Sequence, residues 1–486
     1  MKPSDSHDVA LCIDCDGTLL QTDLLHEGVL AMAKQSPFAI FLLPWWLLHG
    51  KVYLKERIAE RVNFDWACLP YCAQILELIA VARAQGRRVV LATASPQVWA
   101  NGIATHLGLF DSVVASGNGV NLSGENKARR LGEMFGMQRF DYAGNGKSDL
   151  PVWKASRSGI VVSSSNSLIA AAKAATQVAQ VITVPRAGLL SFLRGLRLHQ
   201  WLKNLLIFVP LLAAHKASGT VGISQALMAF MAFSLCASAV YVINDLLDLE
   251  ADRQHVRKRK RPFASGLIPI WQGVLMVPCL LGGALAFATS LPAVFSAVLA
   301  AYFGMTLAYS LRLKRQVIVD VLLLAALYTM RIIAGAAATV IIPSFWLLAF
   351  SMFVFLSLAL VKRYSELLIT LQQQKASAAG RGYFVNDLPV LASIGASAGM
   401  AAVLVLALYI NDPETARLYP GKTWLWLVPP LVLYWISRVW LKTCRGEIDD
   451  DPVVFAIKDW QSLVTGGLLA VCFVLAASQM RLFQVG

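Results

Sequence analysis

Asn244-Asp245-Leu246-Leu247-Asp248-Leu249-Glu250-Ala251-Asp252 closes a long apolar run, and the basic stretch Arg253–Arg261 follows at once. On a helix advancing ~100° per residue, Asp245, Asp248 and Asp252 fall within roughly 60° of one another, on one face that can converge on a cation. A carboxylate in mid-bilayer costs about 2.5–3.5 kcal/mol, so this face must look into a polar cavity or lie at a membrane rim. Hard oxygen donors suit Mg²⁺, which keeps waters and recruits substrate phosphates to complete its octahedron. The stretch predicts a Mg²⁺–diphosphate site at a membrane surface.

Working outward, the 486 residues are 57% hydrophobic with a mean hydropathy of +0.58, yet the apolar blocks begin only near residue 200. That asymmetry predicts a soluble domain fused to a polytopic membrane domain. The net charge of +14 does not point to nucleic acid, because the cations sit between apolar blocks, as positive-inside topology requires, rather than on one folded face. Cys12 and Cys15 bracket Asp14 on an apolar strand and read as buried thiols, and Cys68 and Cys72 have no matching zinc partners. The polar start of the chain is no secretory signal and predicts a cytosolic amino terminus.

Strands are expected at Val9–Ile13, Arg87–Ala92, Ser112–Ala115 and Gly159–Ser163, with helical patterns between them, which argues for a doubly wound α/β domain with a parallel sheet. The helical insertion after the first strand reads as a cap over about 20–85. Its Pro37–His49 segment, with Trp45 and Trp46, is either a packed cap helix or one that dips into a bilayer interface. Thr183–Gly188 has linker composition. The expected domains are 1–185 (α/β), 186–196 (linker) and 197–486 (all-α, membrane). Nine apolar spans are expected, at 201–217, 224–243, 268–288, 292–311, 317–341, 343–361, 389–410, 422–442 and 463–482. Alternate loops carry Arg253–Arg261, then Arg312, Lys314 and Arg315, then Lys362, Arg363 and Arg381, then Lys442 and Arg445. This places those loops and the amino-terminal domain in the cytosol of a bacterial inner membrane. No internal repeat or low-complexity tract is evident.

Asp14-Cys-Asp16-Gly-Thr, directly after a strand, resembles the first motif of haloacid dehalogenase-type phosphatases; Ala-Thr93-Ala-Ser, Lys127 and Gly144-Asn145-Gly-Lys-Ser-Asp149 are similar to the other three. The resemblance implies a Rossmann-like domain in which Asp14 is the nucleophile and Asp16 the general acid and base. It also implies that Thr93 and Lys127 hold the phosphoryl oxygens, and that Asp14, Asp16, Asn145 and Asp149 lie at a Mg²⁺. Asn145 departs from the pattern, since an aspartate is usual there. A carboxylate attacks a phosphate only where cations offset their repulsion.

The N-D-x-x-D-x-x-x-D stretch at the end of the second span resembles UbiA-type intramembrane prenyltransferases, with Asn244, Asp245, Asp248 and Asp252 as its residues. The second acidic motif usual in that family is replaced by Tyr309-Ser-Leu-Arg312-Leu-Lys314-Arg315 through Asp320, with one carboxylate and three cations. This is closer to the branch containing decaprenyl-phosphate phosphoribosyltransferase. Leu198-His-Gln-Trp201-Leu-Lys203-Asn204, Arg261-Pro-Phe-Ala-Ser-Gly266, Arg331-Ile-Ile-Ala-Gly335, Lys362-Arg363-Tyr-Ser-Glu366 and Asp450-Asp451-Pro452 through Lys458-Asp459 are similar to that branch as well.

The likeness implies transfer of 5-phosphoribosyl from phosphoribosyl diphosphate to a polyprenyl phosphate, with departure of diphosphate assisted at Asp245, Asp248 and Asp252. Lys203, Asn204, Asn244, Arg257, Arg261, Tyr309, Lys314, Asp320, Arg331, Lys362 and Arg363 would bind substrate. Such a transferase must hold three anionic groups together, which explains the crowd of cations. Arg331, a charge within a span, is expected to contact a phosphate. The α/β domain would dephosphorylate the lipid product on a route to an arabinose donor, and the chain would self-associate as a homo-oligomer. The competing readings are an ordinary prenyl transfer to an aromatic or tetrapyrrole acceptor, a non-catalytic α/β scaffold, and a transport role.

Overall fold

The computed structural model describes residues 9–117, 119–214, 220–374, 376, 381–448 and 452–478. Two compact units divide it: one holds the chain up to Arg197 together with Tyr241–Pro278, the other holds Leu198–Val240 and the chain from Cys279 onward.

In the first unit six parallel strands form one sheet in the order β3-β2-β1-β4-β5-β6, with β1 Ala10–Ile13, β2 Val89–Pro96, β3 Ser112–Ser116, β4 Phe140–Gly144, β5 Ser158–Val162 and β6 Gln177–Ile182. Successive side chains of a strand face opposite ways. Leu11 and Ile13 accordingly join a core with Trp46, Ile75 and Trp99, whereas Ala10 and Cys12 join one with Leu131, Tyr142 and Trp153. This is the expected α/β architecture with helices on both faces. The chain winds outward from β1 in both directions, so the carboxyl end of β1 is the switch point where such sheets bind ligands.

Two strands escaped the sequence reading. In β4, Asp141 breaks the apolar run, but it is buried and held by Arg87 Nη2 at 2.5 Å, Arg157 Nη2 at 2.7 Å and Ser158 Oγ at 2.7 Å. In β6 only Ile182 is buried, as an edge strand allows. Residues 183–188 carry no regular structure. Cys12 and Cys15 are buried, and burial pushes both thiols up, as expected of structural cysteines. In the cap, α1 (Leu24–Gln35) starts at an Asp23 cap, and Pro37–Leu48 splits the two accounts of its tryptophans: Trp46 is buried in the core, whereas Phe38 (82%), Phe41 (79%), Trp45 (60%) and Leu48 (81%) are exposed.

Among the described residues eight helices are long and apolar enough to cross a membrane: Thr220–Leu247, Ile270–Ala288, Ala293–Leu311, Val319–Thr339, Phe345–Gln372, Val385–Asn411, Lys422–Cys444 and Trp460–Ala477. The first of the nine expected spans is instead the shorter apolar segment Leu198–Ala213, wound as 3₁₀ helix to Phe208 and as α-helix beyond it. Its remaining residues, 215–217, lie outside the described residues. Phe345–Gln372 runs a further eleven residues past the expected 361, so Lys362 and Arg363 are helical and not loop residues. In the second unit small residues let helices touch: a Cβ at Gly395 would lie 2.0 Å from the Trp440 ring. Ser357 Oγ donates to Gly395 O at 2.7 Å and accepts from Trp440 Nε1 at 3.0 Å, the mode of helix association favoured in lipid.

Candidate active sites

Asp14 and Asp16 stand just past the carboxyl end of β1, in a turn that requires a glycine. Gly17 has a φ of +75°, and a Cβ there would lie 2.0 Å from Asn145 Nδ2. Lys127, on α2 (Glu125–Phe135), is buried; its Nζ donates to Asp14 Oδ1 at 2.6 Å and to Tyr142 Oη at 2.9 Å, and Tyr142 donates on to Asp149 Oδ1 at 2.8 Å. Asp149 Oδ2 accepts from the backbone N–H groups of Asn145 (3.0 Å) and Gly146 (2.9 Å). Ser95 Oγ donates to Asp16 Oδ2 at 2.6 Å, and the buried Thr93 Oγ1 accepts from Ser95 N at 3.0 Å. Asn145 Oδ1 accepts from Thr18 Oγ1 at 3.3 Å. The structure thus brings Asp14, Asp16, Thr93, Lys127, Asn145 and Asp149 to one sheet edge.

The electrostatics are those of an acid cluster short of positive charge. Burial pushes the Asp14 carboxyl up to about 7, against the pull of Lys127 and with a further push from Asp149. Burial and the Asp23 charge push Asp16 up to about 6, against the Ser95 hydrogen bond. Burial pulls the Lys127 ammonium down, but Asp14 and Asp149 more than offset this and leave it above its ordinary value.

The acidic stretch belongs to the same unit. The helix expected to run unbroken through it ends at Leu247: α3 (Thr220–Leu247) gives way at Asp248 to α4 (Leu249–Gln254). The bonds Asp248 N to Asn244 O (2.9 Å) and Asp252 N to Asp248 O (2.8 Å) flank the break. Arg261 Nη1 donates to Asp245 Oδ1 at 3.2 Å and to Asp252 Oδ2 at 2.6 Å, and Arg197 pairs with Asp245. Arg257 is exposed. Among the described residues no three His, Cys, Asp or Glu side chains are gathered closely enough to hold a metal ion.

In the second unit Arg331, on α5 (Val319–Thr339), is buried with its donors on neutral acceptors: Nε to Asn204 Oδ1 at 2.9 Å, Nη1 to Leu327 O at 2.5 Å and Nη2 to Tyr302 Oη at 3.2 Å. Phe233, Tyr302 and Tyr328 surround its guanidinium at 5.2–5.4 Å. Carbonyl, amide and hydroxyl oxygens thus take three of its five N–H donors, and ring faces surround the charge. Asn204, bound also to Ser234 Oγ at 2.9 Å, is part of this framework, and Lys203 Nζ lies over the Tyr328 ring.

A second network joins Tyr309, Asp320 and Arg363. Asp320 is fully buried (0%) and accepts from Arg363 Nε and from Tyr383 Oη, each at 2.5 Å. Arg363, on α6 (Phe345–Gln372), also pairs with Glu366, and Arg381 lies 3.3 Å from Glu366 and 3.4 Å from Tyr309 Oη. Lys314 and Lys362 are half-buried. Asp450 and Asp451 lie outside the described residues.

Sequence reasoning missed Ser95, Tyr142, Arg197, Glu366, Arg381 and Tyr383. Ser95 and Glu366 lie inside stretches already singled out, and Arg197 immediately precedes one. Tyr142 was hidden by the unrecognised β4, while Arg381 and Tyr383 carried no signal beyond a basic loop.

Residues 11–154 match the haloacid dehalogenase-like hydrolase model and residues 205–463, over half the chain, the UbiA prenyltransferase family model. An uncharacterized protein of Sinorhizobium fredii, y4nM, is 37% identical over 469 residues, 96% of this chain and 90% of that protein. A Mycobacterium tuberculosis protein named decaprenyl-phosphate phosphoribosyltransferase is 40% identical over 194 residues, 38% of this chain and 64%, less than two thirds, of that relative. A solved structure described as a UbiA homolog from Archaeoglobus fulgidus bound to DMAPP and Mg²⁺ is 16% identical with a TM-score of 0.46, covering 59% of this chain and 99% of its own. With an amino-terminal haloacid dehalogenase-like domain and membrane-length helices beyond it, the chain is a multi-pass member of the UbiA prenyltransferase family.

Proposed function

We propose that the chain transfers 5-phosphoribosyl from phosphoribosyl diphosphate to a polyprenyl phosphate, and that the α/β domain then removes the 5-phosphate from the lipid product. The observation that carries the transferase reading is the state of Asp320. A prenyl transferase with two diphosphate-binding acidic clusters needs free carboxylates at the second, but Asp320 is buried with its oxygens engaged by Arg363 and Tyr383. The identity to the phosphoribosyltransferase of M. tuberculosis supports the same reading.

In the transfer, an oxygen of the lipid phosphate bonds to the anomeric carbon as the bond to diphosphate breaks, and diphosphate leaves with the electron pair. Asp245, Asp248 and Asp252 would hold Mg²⁺, which when bound offsets the charge of the departing group. The chemistry of Asp245 and Asp252 fits a cation, for a cationic nitrogen of Arg261 already bridges them. In the α/β domain, Asp14 would attack phosphorus while Asp16, raised to about 6, would protonate the leaving sugar oxygen and then take a proton from the water that cleaves the aspartyl phosphate and releases phosphate. Asp14, Asp16, Asn145 and Asp149 would hold the divalent cation that this family resemblance implies.

The basic loops support a cytosolic α/β domain. Phe38, Phe41, Trp45 and Leu48 would then enter the interface of the bilayer that the chain's own helices demand.

Purified protein incubated with Mg²⁺, labelled phosphoribosyl diphosphate and polyprenyl phosphate should move label into the lipid phase. Asp248→Asn should slow this about a hundredfold, ~2.7 kcal/mol in the barrier, and Asp14→Asn should leave a lipid that retains its 5-phosphate. Label that stays in water while a prenyl diphosphate and an aromatic acceptor are consumed would establish the ordinary prenyl-transfer reading instead.

A further inference from the structure

Arg253 immediately follows Asp252 on α4, yet its side chain is spent elsewhere. Nη2 donates to Glu27 Oε1 at 2.5 Å and Nη1 to Glu27 Oε2 at 3.2 Å, while Nε donates to Ala264 O at 2.9 Å. The two side chains are 8% and 7% exposed, across a sequence separation of 226. A bidentate guanidinium–carboxylate fork fixes orientation as well as distance, and a buried charge of this kind tolerates loss of its partner poorly.

Glu27 sits in the first turn of α1, and that turn is bound to the candidate phosphatase site. Leu24 N donates to Asp16 Oδ1 at 2.8 Å. Thr22 Oγ1 donates to Glu27 Oε1 at 2.7 Å, and Thr22 O accepts from Gly17 N at 3.2 Å. The loop behind Arg253 presses on the same segment, since a Cβ at Gly266, whose φ is +75°, would lie 2.3 Å from Gln21 O. Each contact lies within the first unit, and together they clasp residues 17–27 from the side of the acidic stretch.

We propose that Arg253 is a positioning residue for the α/β site. Through Glu27 and the start of α1 it sets the loop that holds Asp16, and because it adjoins Asp252, whatever the acidic stretch binds is felt at that loop. The proposal rests on the reading of Asp16 as part of a phosphatase site, but its primary readout is not activity.

In full-length protein in lipid nanodiscs, amide hydrogen exchange over residues 17–28 should speed at least tenfold in Arg253→Gln and in Glu27→Gln, and no further in the double variant. Exchange in β1, β2 and β4 should stay as in wild type. Mg²⁺ with inorganic diphosphate should alter exchange over 17–28 in wild type, an effect lost in Arg253→Gln. Arg253→Lys, which keeps the charge but not the fork, should restore protection in part. Unchanged exchange over 17–28 in the single variants, or loosening spread evenly over the sheet, overturns the proposal. A wild type without phosphatase turnover but with this exchange pattern overturns only the phosphatase reading.

Discussion

Arg331 shows how neutral groups hold a charge inside a membrane-length helix. Its donors reach Asn204, Leu327 O and Tyr302, so Arg331→Met strands buried acceptors at a cost of about 1–3 kcal/mol each. The variant should melt earlier in detergent, with transfer falling in step with folded protein. Wild-type melting with lost transfer would instead assign the guanidinium to substrate. At this scale the sequence spoke through motifs, although Thr93 lies within β2 and Lys127 within α2 and not at strand ends as expected. Their partners did not show, because a hydrogen bond such as Tyr142 to Asp149 depends on a strand that had first to be seen.

Elements were legible where apolar periodicity was unbroken. β1 and the long helices read directly from composition, whereas β4 was obscured by a charge whose partners, Arg87 and Arg157, are distant in sequence. Apolar run length cannot distinguish a membrane span from the 3₁₀-wound Leu198–Phe208, and helix-advance arithmetic does not foresee the break at Asp248. The exposed face of Pro37–Leu48 carries the prediction proper to this scale. Replacing Phe38, Phe41 and Leu48 together by Ser should leave soluble-substrate chemistry unchanged and weaken the quenching by brominated lipid of a label carried on a cysteine at residue 45. Equal quenching with Phe38, Phe41 and Leu48 replaced would remove the interface from the account.

For the whole molecule, the compact units do not follow the order of the chain, since Tyr241–Pro278 clusters with the α/β domain. Its stability should also depend on pH and metal together. Asp14 and Asp16, raised to about 7 and about 6 from 3.8, bind protons more tightly folded than unfolded. Stability of the α/β domain should therefore fall as pH rises from about 4 to 7 and level off above. Mg²⁺ competes with those protons, so the gain in Tm on adding Mg²⁺ should be larger at pH 7.5 than at pH 5. A gain independent of pH would remove these carboxylates from the metal site.

Glu27 and Arg253 also impose an order of events on synthesis. The last strand, β6, ends at Ile182, about 70 residues before Arg253. At ~5–20 residues per second the ribosome delivers that arginine roughly 4–14 s after the sheet is complete. Until then a buried-to-be carboxylate faces water, and the nascent α/β domain waits, folded but unlatched, for the membrane-inserting part of its own chain.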